Sequence, residues 1–464
     1  MAFLDFVDAS ITNVALPRIL TSLHFSVQSL QWVPSAYLLT YGGFMLLGGR
    51  LADLLGRRNV LLAGTILVGL SSLAGGFAGD AGVFIGARLA QGLGAALMLP
   101  AALSTLTTTF TAARDRQSAL GVWAAVAGLS SAAGILLGGV LTEGPGWRWV
   151  MFVNPIACVL VIPAVLALLP HDRPTAQTSR FDLLGSAVVT GGMLLLVYAL
   201  VKAPDEGWGS AHTIGELATA LAVLAAFAVN ELRSRDPLFP FSILRIKGLA
   251  AADATQLIAF AGFVSLFFFL TLYMQNVLGF SPIRAGAAYL PVTVGIAAAA
   301  GVSSRLFART GTRPVIVVGS LIAAGGMYYL SRIPVHGSYL TDLLPGLLVM
   351  SAGLGAVFVA VTTAANAGVP ADKAGLAAGL LNTSLQLGSA LGLAIFSAIA
   401  TARTHALLAA RTPPAAALTA GFHQALLACS IFLLAAALIA VRAANTRGET
   451  SDRIPGPVLA PDAP

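Results

Sequence analysis

The chain has 464 residues, of which 57% are hydrophobic and only 10% are charged, and its mean hydropathy is +0.86. A typical soluble domain carries about 25% charged residues, so this composition excludes a soluble enzyme, a disordered scaffold and a nucleic-acid-binding module. The net charge of +7 comes from basic residues in short segments between apolar runs. Membrane orientation explains such segments better than nucleic-acid binding does, and we expect a protein that crosses the lipid bilayer many times.

The predicted elements are apolar segments of about 20 residues, the length that a membrane-spanning helix needs. The N-terminal segment carries Asp5 and Asp8 in place of a basic region, so we do not expect a cleavable signal peptide. In chain order, the fourteen predicted spans are residues 2–20, 32–50, 59–78, 82–106, 118–141, 149–169, 183–201, 213–231, 250–274, 286–306, 314–331, 342–366, 375–400 and 422–441.

The basic residues predict how these spans are oriented. With fourteen spans, eighteen of the 26 Lys and Arg residues fall on the side that holds both termini, seven fall on the other side, and Arg88 lies inside a span. Because Lys and Arg are enriched in cytoplasmic loops, we expect a multi-pass protein of the cell membrane with its N- and C-termini in the cytoplasm.

An internal repeat divides the chain. Five residues of the second loop recur at a constant offset: Arg50, Leu51, Gly56, Arg58 and Val60 correspond to Arg305, Leu306, Gly311, Arg313 and Val315. At almost the same offset, Gly134 and Gly138 correspond to Gly388 and Gly392. Chance similarity between Ala- and Gly-rich helices is the alternative. Two like halves are common in secondary transporters. We therefore predict an N-terminal six-helix bundle (1–170), an inserted helix pair with its loops (171–245), a C-terminal six-helix bundle (246–442) and a Pro-rich cytoplasmic tail (443–464).

The strongest local motif is the loop between the second and third spans. A tight turn between antiparallel helices needs a glycine, and an acid beside paired arginines can form an ion pair that breaks when the conformation changes. A loop that only sets membrane orientation is the alternative. The predicted gate loop consists of Gly49, Arg50, Asp53, Gly56, Arg57 and Arg58.

Five segments resemble motifs of the major facilitator superfamily. Residues 48–58 resemble its cytoplasmic motif between the second and third spans, and residues 88–94 its fourth-span motif. Residues 147–155 are similar to the entry of the sixth span, and residues 272–282 to the end of the ninth. Residues 7–17 resemble the first-span motif of the fourteen-span drug:proton antiporter branch.

This resemblance runs from residue 2 to about residue 440. It implies an all-α membrane protein with the major facilitator fold, two six-helix bundles and two inserted helices. The implied activity is secondary active export of drugs or a hydrophobic natural product in exchange for protons, by alternating access. The partners implied are a small amphipathic or hydrophobic organic compound, protons and the lipid bilayer. We expect a monomer that is not an enzyme and needs no cofactor and no metal.

One motif departs from the family pattern. The fifth-span antiporter motif of the family has Gly-Pro-x-x-Gly-Gly, whereas this chain has Gly134, Ile135, Gly138 and Gly139 at the corresponding positions. Isoleucine does not kink a helix as proline does, while the glycines still allow close helix approach. The departure leaves open a proton-coupled importer of a small organic metabolite as the alternative function.

Charges inside apolar helices predict the coupling site. A charge within a membrane is costly and is usually paired or faces water. We hypothesise that Asp8 binds and releases the coupling proton, that Arg88 tunes it, and that Asp5 contributes. A fixed structural pair is the alternative for Asp8. Asp253 opens the ninth span either as a helix-start residue near the interface or as a second proton site.

Other embedded residues carry weaker expectations. Asn13, Gln91, Asn382 and Gln386 are candidates for lining the substrate cavity, with hydrogen bonding between helices as the alternative reading. The aromatic run 267–269 is expected to face lipid. The two cysteines show no metal-binding spacing, and we expect both to be free thiols.

Overall fold

The computed structural model describes residues 2–26, 28–110, 113–169, 183–233, 241–246, 248–369 and 374–447. All regular secondary structure in these ranges is helical. Residues 448–464 of the predicted tail and residues 170–182 lie outside the described residues. The fold is therefore all-α, as its composition indicates.

Fifteen α-helices are described, and all but the short α10 have at least 19 residues. Eleven helical stretches of the described chain are both long and apolar enough to cross a membrane. The helices are α1 (Ala2–Ser22), α2 (Trp32–Leu55), α3 (Arg57–Gly76), α4 (Ala81–Thr109), α5 (Ala113–Glu143), α6 (Arg148–Leu168), α7 (Leu183–Glu206), α8 (Ala211–Arg233), α9 (Leu249–Leu272), α10 (Pro282–Ala288), α11 (Leu290–Thr310), α12 (Thr312–Leu330), α13 (Leu344–Asn366), α14 (Ala374–Ala409) and α15 (Pro414–Ala440).

The turns between helices define two ends of the molecule. We call the end that holds the α2–α3 turn the Gly56 side, and the opposite end, which holds the α5–α6 turn, the Gly146 side. Gly56 has φ 91° and Gly311, at the repeated position, has φ 89°. Only glycine adopts this backbone region without strain, so the loop repeat found in the sequence is a repeat of backbone conformation.

Glycines also set the same helix contact in each half of the chain. A Cβ at Gly134 of α5 would lie 2.8 Å from the carbonyl oxygen of Val7 in α1, and a Cβ at Gly388 of α14 would lie 2.2 Å from that of Leu257 in α9. Helices approach this closely only where the side chain is a hydrogen atom. Helices α1 and α5 therefore pack as α9 and α14 do.

The helix pair α7 and α8 lies beside the line where the two halves meet. Thr190 of α7 sits against Gly43 of α2, and Gln28, which precedes α2, donates a hydrogen bond to the Val201 carbonyl of α7. Helix α7 also packs against α14. One helix of the pair thus contacts both halves.

On the Gly146 side the two halves touch directly. A Cβ at Gly139 of α5 would lie 2.7 Å from the Cα of Ile283 in α10. Gln275, in the π-helical turn that extends α9, donates a 2.9 Å hydrogen bond to the Val14 carbonyl of α1. These contacts close the Gly146 side in this structure.

One packing expectation is wrong. Phe268 and Phe269 are each 1% exposed and belong to the core, where Phe269 contacts Phe422 of α15. Helix α9 is packed against α14, α15, α13 and α1, so almost no face of it is left for lipid. An apolar run alone does not tell which side of a helix meets lipid.

Candidate functional site

Asp8 and Arg88 form an ion pair inside the N-terminal half. The Arg88 Nη1 atom lies 2.8 Å from the Asp8 Oδ2 atom, and both residues are 2% exposed. Asp8 lies in the first half of α1, and Arg88 lies in the first half of α4. The two residues are 80 positions apart in the chain. The structure thus brings together the two charges that the sequence singled out. A buried pair such as this survives only with good geometry and further hydrogen bonds.

Two side-chain amides donate hydrogen bonds to the other carboxylate oxygen of Asp8. Gln91 Nε2 donates to Asp8 Oδ1 at 2.7 Å, and Asn154 Nδ2 donates to the same oxygen at 2.5 Å. Gln91 was expected to line the cavity, but it is 1% exposed and is a direct partner of the acid. Each donor uses a lone pair of an ionised carboxylate, so the network fits an Asp8 without a proton.

Arg88 is held from several directions. Its Nη1 atom also donates to Gln91 Oε1 at 2.6 Å, its Nε atom donates to the Val33 carbonyl at 3.1 Å, and its guanidinium lies 4.5 Å from the ring centre of Tyr37. The planar guanidinium suits such a combination of forked hydrogen bonds and ring stacking. Arg88 therefore joins α1, α2 and α4 through one charge.

The backbone makes this site possible. Gly92, one turn after Arg88, lies so close to α2 that a Cβ there would be 2.2 Å from the Tyr37 carbonyl oxygen. Arg88 and Gln91 are three residues apart and share a helix face. The close approach of α2 and α4 brings the Tyr37 ring and the Val33 carbonyl within reach of the arginine.

These observations can be compared with known proteins. Residues 1–393 match the family described as the Major Facilitator Superfamily. The chain belongs to this superfamily. It is 38% identical to the puromycin resistance protein pur8 of Streptomyces alboniger, with 99% of this chain and 92% of that protein covered. It is 36% identical to the cephamycin export protein CmcT of Amycolatopsis lactamdurans, with 94% and 89% covered.

Solved structures agree on the fold. A bacterial homologue of the human lysosomal transporter Spinster, in an inward-facing and unoccupied conformation, superposes with a TM-score of 0.68 at 18% identity, covering 95% of this chain and 94% of that one. The transporter PepTSo of the POT family gives a TM-score of 0.67 at 16% identity, with 94% and 96% covered. At such low identity these likenesses establish the fold of this major facilitator protein and nothing about its substrate.

The predicted gate loop is pinned within the N-terminal half. Arg57 Nη1 donates to Thr108 Oγ1 of α4 at 2.9 Å, and Arg58 Nη2 donates to the Leu166 carbonyl of α6 at 2.8 Å. Arg50 is half-buried near the end of α2, and a Cβ on Gly49 would lie 3.6 Å from Pro100. The side chain of Asp53 lies outside the described residues, so its predicted ion pair stays a prediction.

The glycines of the fifth span serve helix contact. A Cβ at Gly138 would lie 2.7 Å from the Ile11 carbonyl oxygen, while Gly134 meets Val7 and Gly139 meets α10. The carbonyl of Ile135, which replaces the family proline, lies 2.8 Å from the position of a Cβ on Gly286. The motif thus packs α5 against both α1 and the C-terminal half.

Two of the remaining candidates, Asn382 and Gln386, make contacts outside the Asp8 network. Asn382 donates to the Ala378 carbonyl of its own helix, Gln386 packs against Gly42 between α14 and α2, and Asn13 is half-buried in α1. The side chain of Asp5 lies outside the described residues. Both cysteines are free and buried, as expected.

A cavity of about 390 Å³ lies on the closed Gly146 side. Asp205 of α7 and His405 of α14 stand at it, 3.5 Å apart and about half exposed. Nearby, Glu206, His212 and Glu216 cluster at the α7–α8 turn, where the His212 Nε2 atom lies 3.7 Å from a Glu206 oxygen and 3.0 Å from a Glu216 oxygen. The cavity is lined by aromatic and hydroxyl side chains that include Phe268, Phe269, Ser397, Thr401 and Phe422.

Sequence reasoning missed two members of the site. Asn154 lies in a segment whose resemblance to the sixth span was noted, but no role was given to its amide. Ser72 of α3 accepts a 3.2 Å hydrogen bond from Asn154 and extends the network to a fifth helix. An asparagine within an apolar helix was an available signal for Asn154, since such amides are seldom left without partners in lipid. A serine carries no comparable signal.

Proposed function

We propose that this protein exports an antibiotic or a related organic compound from the cell in exchange for protons, by alternating access. The named functions of the relatives, puromycin resistance and cephamycin export, support an antibiotic as the cargo. The protein acts as a monomer in the cell membrane, crosses it fourteen times and keeps both termini in the cytoplasm. It needs no cofactor, since the proton gradient supplies the driving force.

The buried Asp8–Arg88 network carries this proposal. Asp8 is the acid of a site that joins α1, α2, α3, α4 and α6 through hydrogen bonds. Placing a proton on Asp8 removes one acceptor position and cancels the charge that balances Arg88. Since the network holds five helices together, protonation changes which helix arrangement is favoured, and this is the coupling that an antiporter requires.

The direction of opening follows from the contacts between halves. The Gly146 side is closed by α5 against α10 and by α9 against α1. The Gly56 side holds most of the basic residues, and such loops face the cytoplasm. In this conformation the path between the halves therefore opens to the cytoplasm, where an exporter takes up its substrate.

Transport of puromycin into inverted membrane vesicles tests the proposal. Asp8→Asn should abolish the uptake that an imposed proton gradient drives, while Asp8→Glu should keep a measurable part of it. Asp115→Asn, at an exposed acid of α5, is the matched control and should transport as the unchanged protein does. Full proton-driven uptake by Asp8→Asn would disprove the coupling role of Asp8.

The importer is the second candidate, and Ile135 in place of the family proline is the observation that favours it. Intact efflux-deficient cells that express the chain distinguish the two directions. An exporter lowers the amount of puromycin in the cells and loses this effect when a protonophore is added. An importer raises the amount instead.

A further inference from the structure

Asp253 is a further buried acid, and it differs from Asp8 in its surroundings. It is 6% exposed, and neither of its carboxylate oxygens has a hydrogen-bond partner among the residues that the structure describes. It is the only charged residue of α9. A polar group in such a place is expensive unless it changes its charge state.

Asp253 does not serve as a helix-start residue, one of the two roles that the sequence allowed. The residue that precedes α9 is Gly248, with φ 87°, and no side chain caps the helix. Asp253 is the fifth residue of α9, beyond the first turn in which the free N–H groups and the helix dipole stabilise a carboxylate. The helix terminus therefore gives no reason for a charged Asp253.

Within the described residues, the elements packed against α9 offer no counter-charge to Asp253. The charged or titratable residues of α14 and α15 are Arg403, His405, His423 and Cys429. Arg403, His405 and His423 lie toward the Gly146 side, Cys429 is a buried free thiol, and α13 has no such residue. Arg245, just before α9, is exposed. Helix α1 carries Asp5, Asp8 and Arg18, of which Asp8 is bound to Arg88 and Arg18 is near the Gly146 side.

We propose that Asp253 carries a proton in this conformation and is a second proton-binding site, located in the C-terminal half. Neutralisation is the ordinary response of a buried acid that has no cation or hydrogen-bond donor. Gln256, three residues further on the same helix face, is 1% exposed and its Oε1 atom also has no donor in the described structure. Gln256 Oε1 is thus a buried acceptor one turn away from Asp253.

The position of Asp253 suits exchange with the Gly56 side. The glycine contacts align Leu257 of α9 with Val7 of α1, which places Asp253 about 7.5 Å nearer the Gly56 side than the level of Asp8. Release of the proton breaks only the O–H bond and passes the proton to water on that side. This inference rests on the proposed antiport, in which the Asp253 site adds one proton to each transport cycle.

Infrared difference spectroscopy of the purified protein tests the site without any transport. At neutral pH the carbonyl stretching band of a protonated carboxylic acid should be present in the unchanged protein, absent in Asp253→Asn and retained in Asp8→Asn. Asp253→Glu should keep the band at a shifted frequency, which covers the case in which the asparagine variant does not fold. No band in the unchanged protein, or a band that persists in Asp253→Asn, would overturn the proposal.

A second measurement tests the coupling. In vesicles, the proton gradient that balances a fixed puromycin gradient reports how many protons move per molecule. Asp253→Asn should lower this number by one while transport continues, and an unchanged number would show that Asp253 takes no part in coupling. If the unchanged protein shows no proton-driven transport, the antiport proposal fails, while the infrared result still decides whether Asp253 is protonated.

Discussion

The two halves of the molecule have similar backbone turns and helix contacts, but their buried acids differ in the hydrogen-bond partners that surround them. Asp8 in the N-terminal half is bound by Arg88, Gln91 and Asn154, whereas Asp253 in the C-terminal half has no partner among the described residues. The contrast shows that two halves with the same geometry of helix contact can differ in the polar groups that they bury.

Glycines determine the helix contacts that the two halves share, and polar side chains determine how the halves differ. The Gly56 and Gly311 turns have nearly equal φ angles, and Gly134 and Gly388 make equivalent contacts. No residue of α13, which corresponds to α4 in the repeat, is charged, so Arg88 has no counterpart there. Helix α13 therefore provides no arginine that could pair with Asp253 as Arg88 pairs with Asp8.

The largest effect is expected from removing Arg88. Arg88→Met leaves Asp8 buried without its counter-charge, and breaking such a pair costs about 3–5 kcal/mol of stability. Thermal unfolding in detergent can be followed with a thiol-reactive dye, because Cys158 and Cys429 are free and buried.

The same measurement separates the two acids. Asp8→Asn combined with Arg88→Met should recover part of the loss, since no charge is then left unpaired. Asp253→Asn should leave the protein at least as stable as before. If Arg88→Met unfolded at the temperature of the unchanged protein, the contrast between the halves would not be electrostatic.

The next largest effect is expected at the repeated glycines. Gly134→Ala and Gly388→Ala both place a methyl group against a backbone carbonyl, at 2.8 Å and 2.2 Å, and overpacking of this kind costs about 1–3 kcal/mol. Both should lower the unfolding temperature in the same dye assay. Gly86→Ala is the matched control, because no atom lies within 4 Å of its added Cβ. A loss in only one of the two halves would show that their helix contacts are not equivalent.

A smaller effect is expected at Asn154. Asn154→Leu removes the hydrogen bonds to Asp8 and Ser72, and losing a buried hydrogen bond of this kind costs about 1–3 kcal/mol. Proton-driven puromycin uptake should fall about tenfold, which corresponds to 1.4 kcal/mol. Asn366→Leu, at an exposed asparagine that bonds only to its own helix, should not change uptake. Equal uptake by the two variants would remove Asn154 from the coupling network.

The smallest effect is expected at the surface pair between the inserted helices and the C-terminal half. Asp205→Asn removes the 3.5 Å contact with His405, which is an ion pair only when the histidine is protonated; the two side chains are 47% and 53% exposed. Exposed pairs contribute about 0–1 kcal/mol, so the unfolding temperature should change little and added salt should remove the difference. A loss as large as that of Arg88→Met would mean that α7 is held mainly by this pair.

Much of the fold was readable from the sequence because apolar length and glycine position are local properties. The predicted spans fall on the observed helices, although several helices are longer than predicted, as α14 (Ala374–Ala409) is against residues 375–400. The turn at Gly56 and its repeat at Gly311 were predicted correctly for the same reason. The short α10 before α11 was not foreseen, since it divides one continuous apolar segment.

The sequence by itself determined that the chain is a helical membrane protein in two related halves, and it identified Asp8 and Arg88, because a charge in an apolar helix is conspicuous without any structure. Only the tertiary structure decided which groups meet them. Asn154 contacts Asp8 across 146 residues of chain, whereas Asp253 has no hydrogen-bond partner in the described part of the chain. These outcomes depend on which helices are neighbours and which faces they share, and hydrophobic patterning along one helix does not encode the identity of the next one in space.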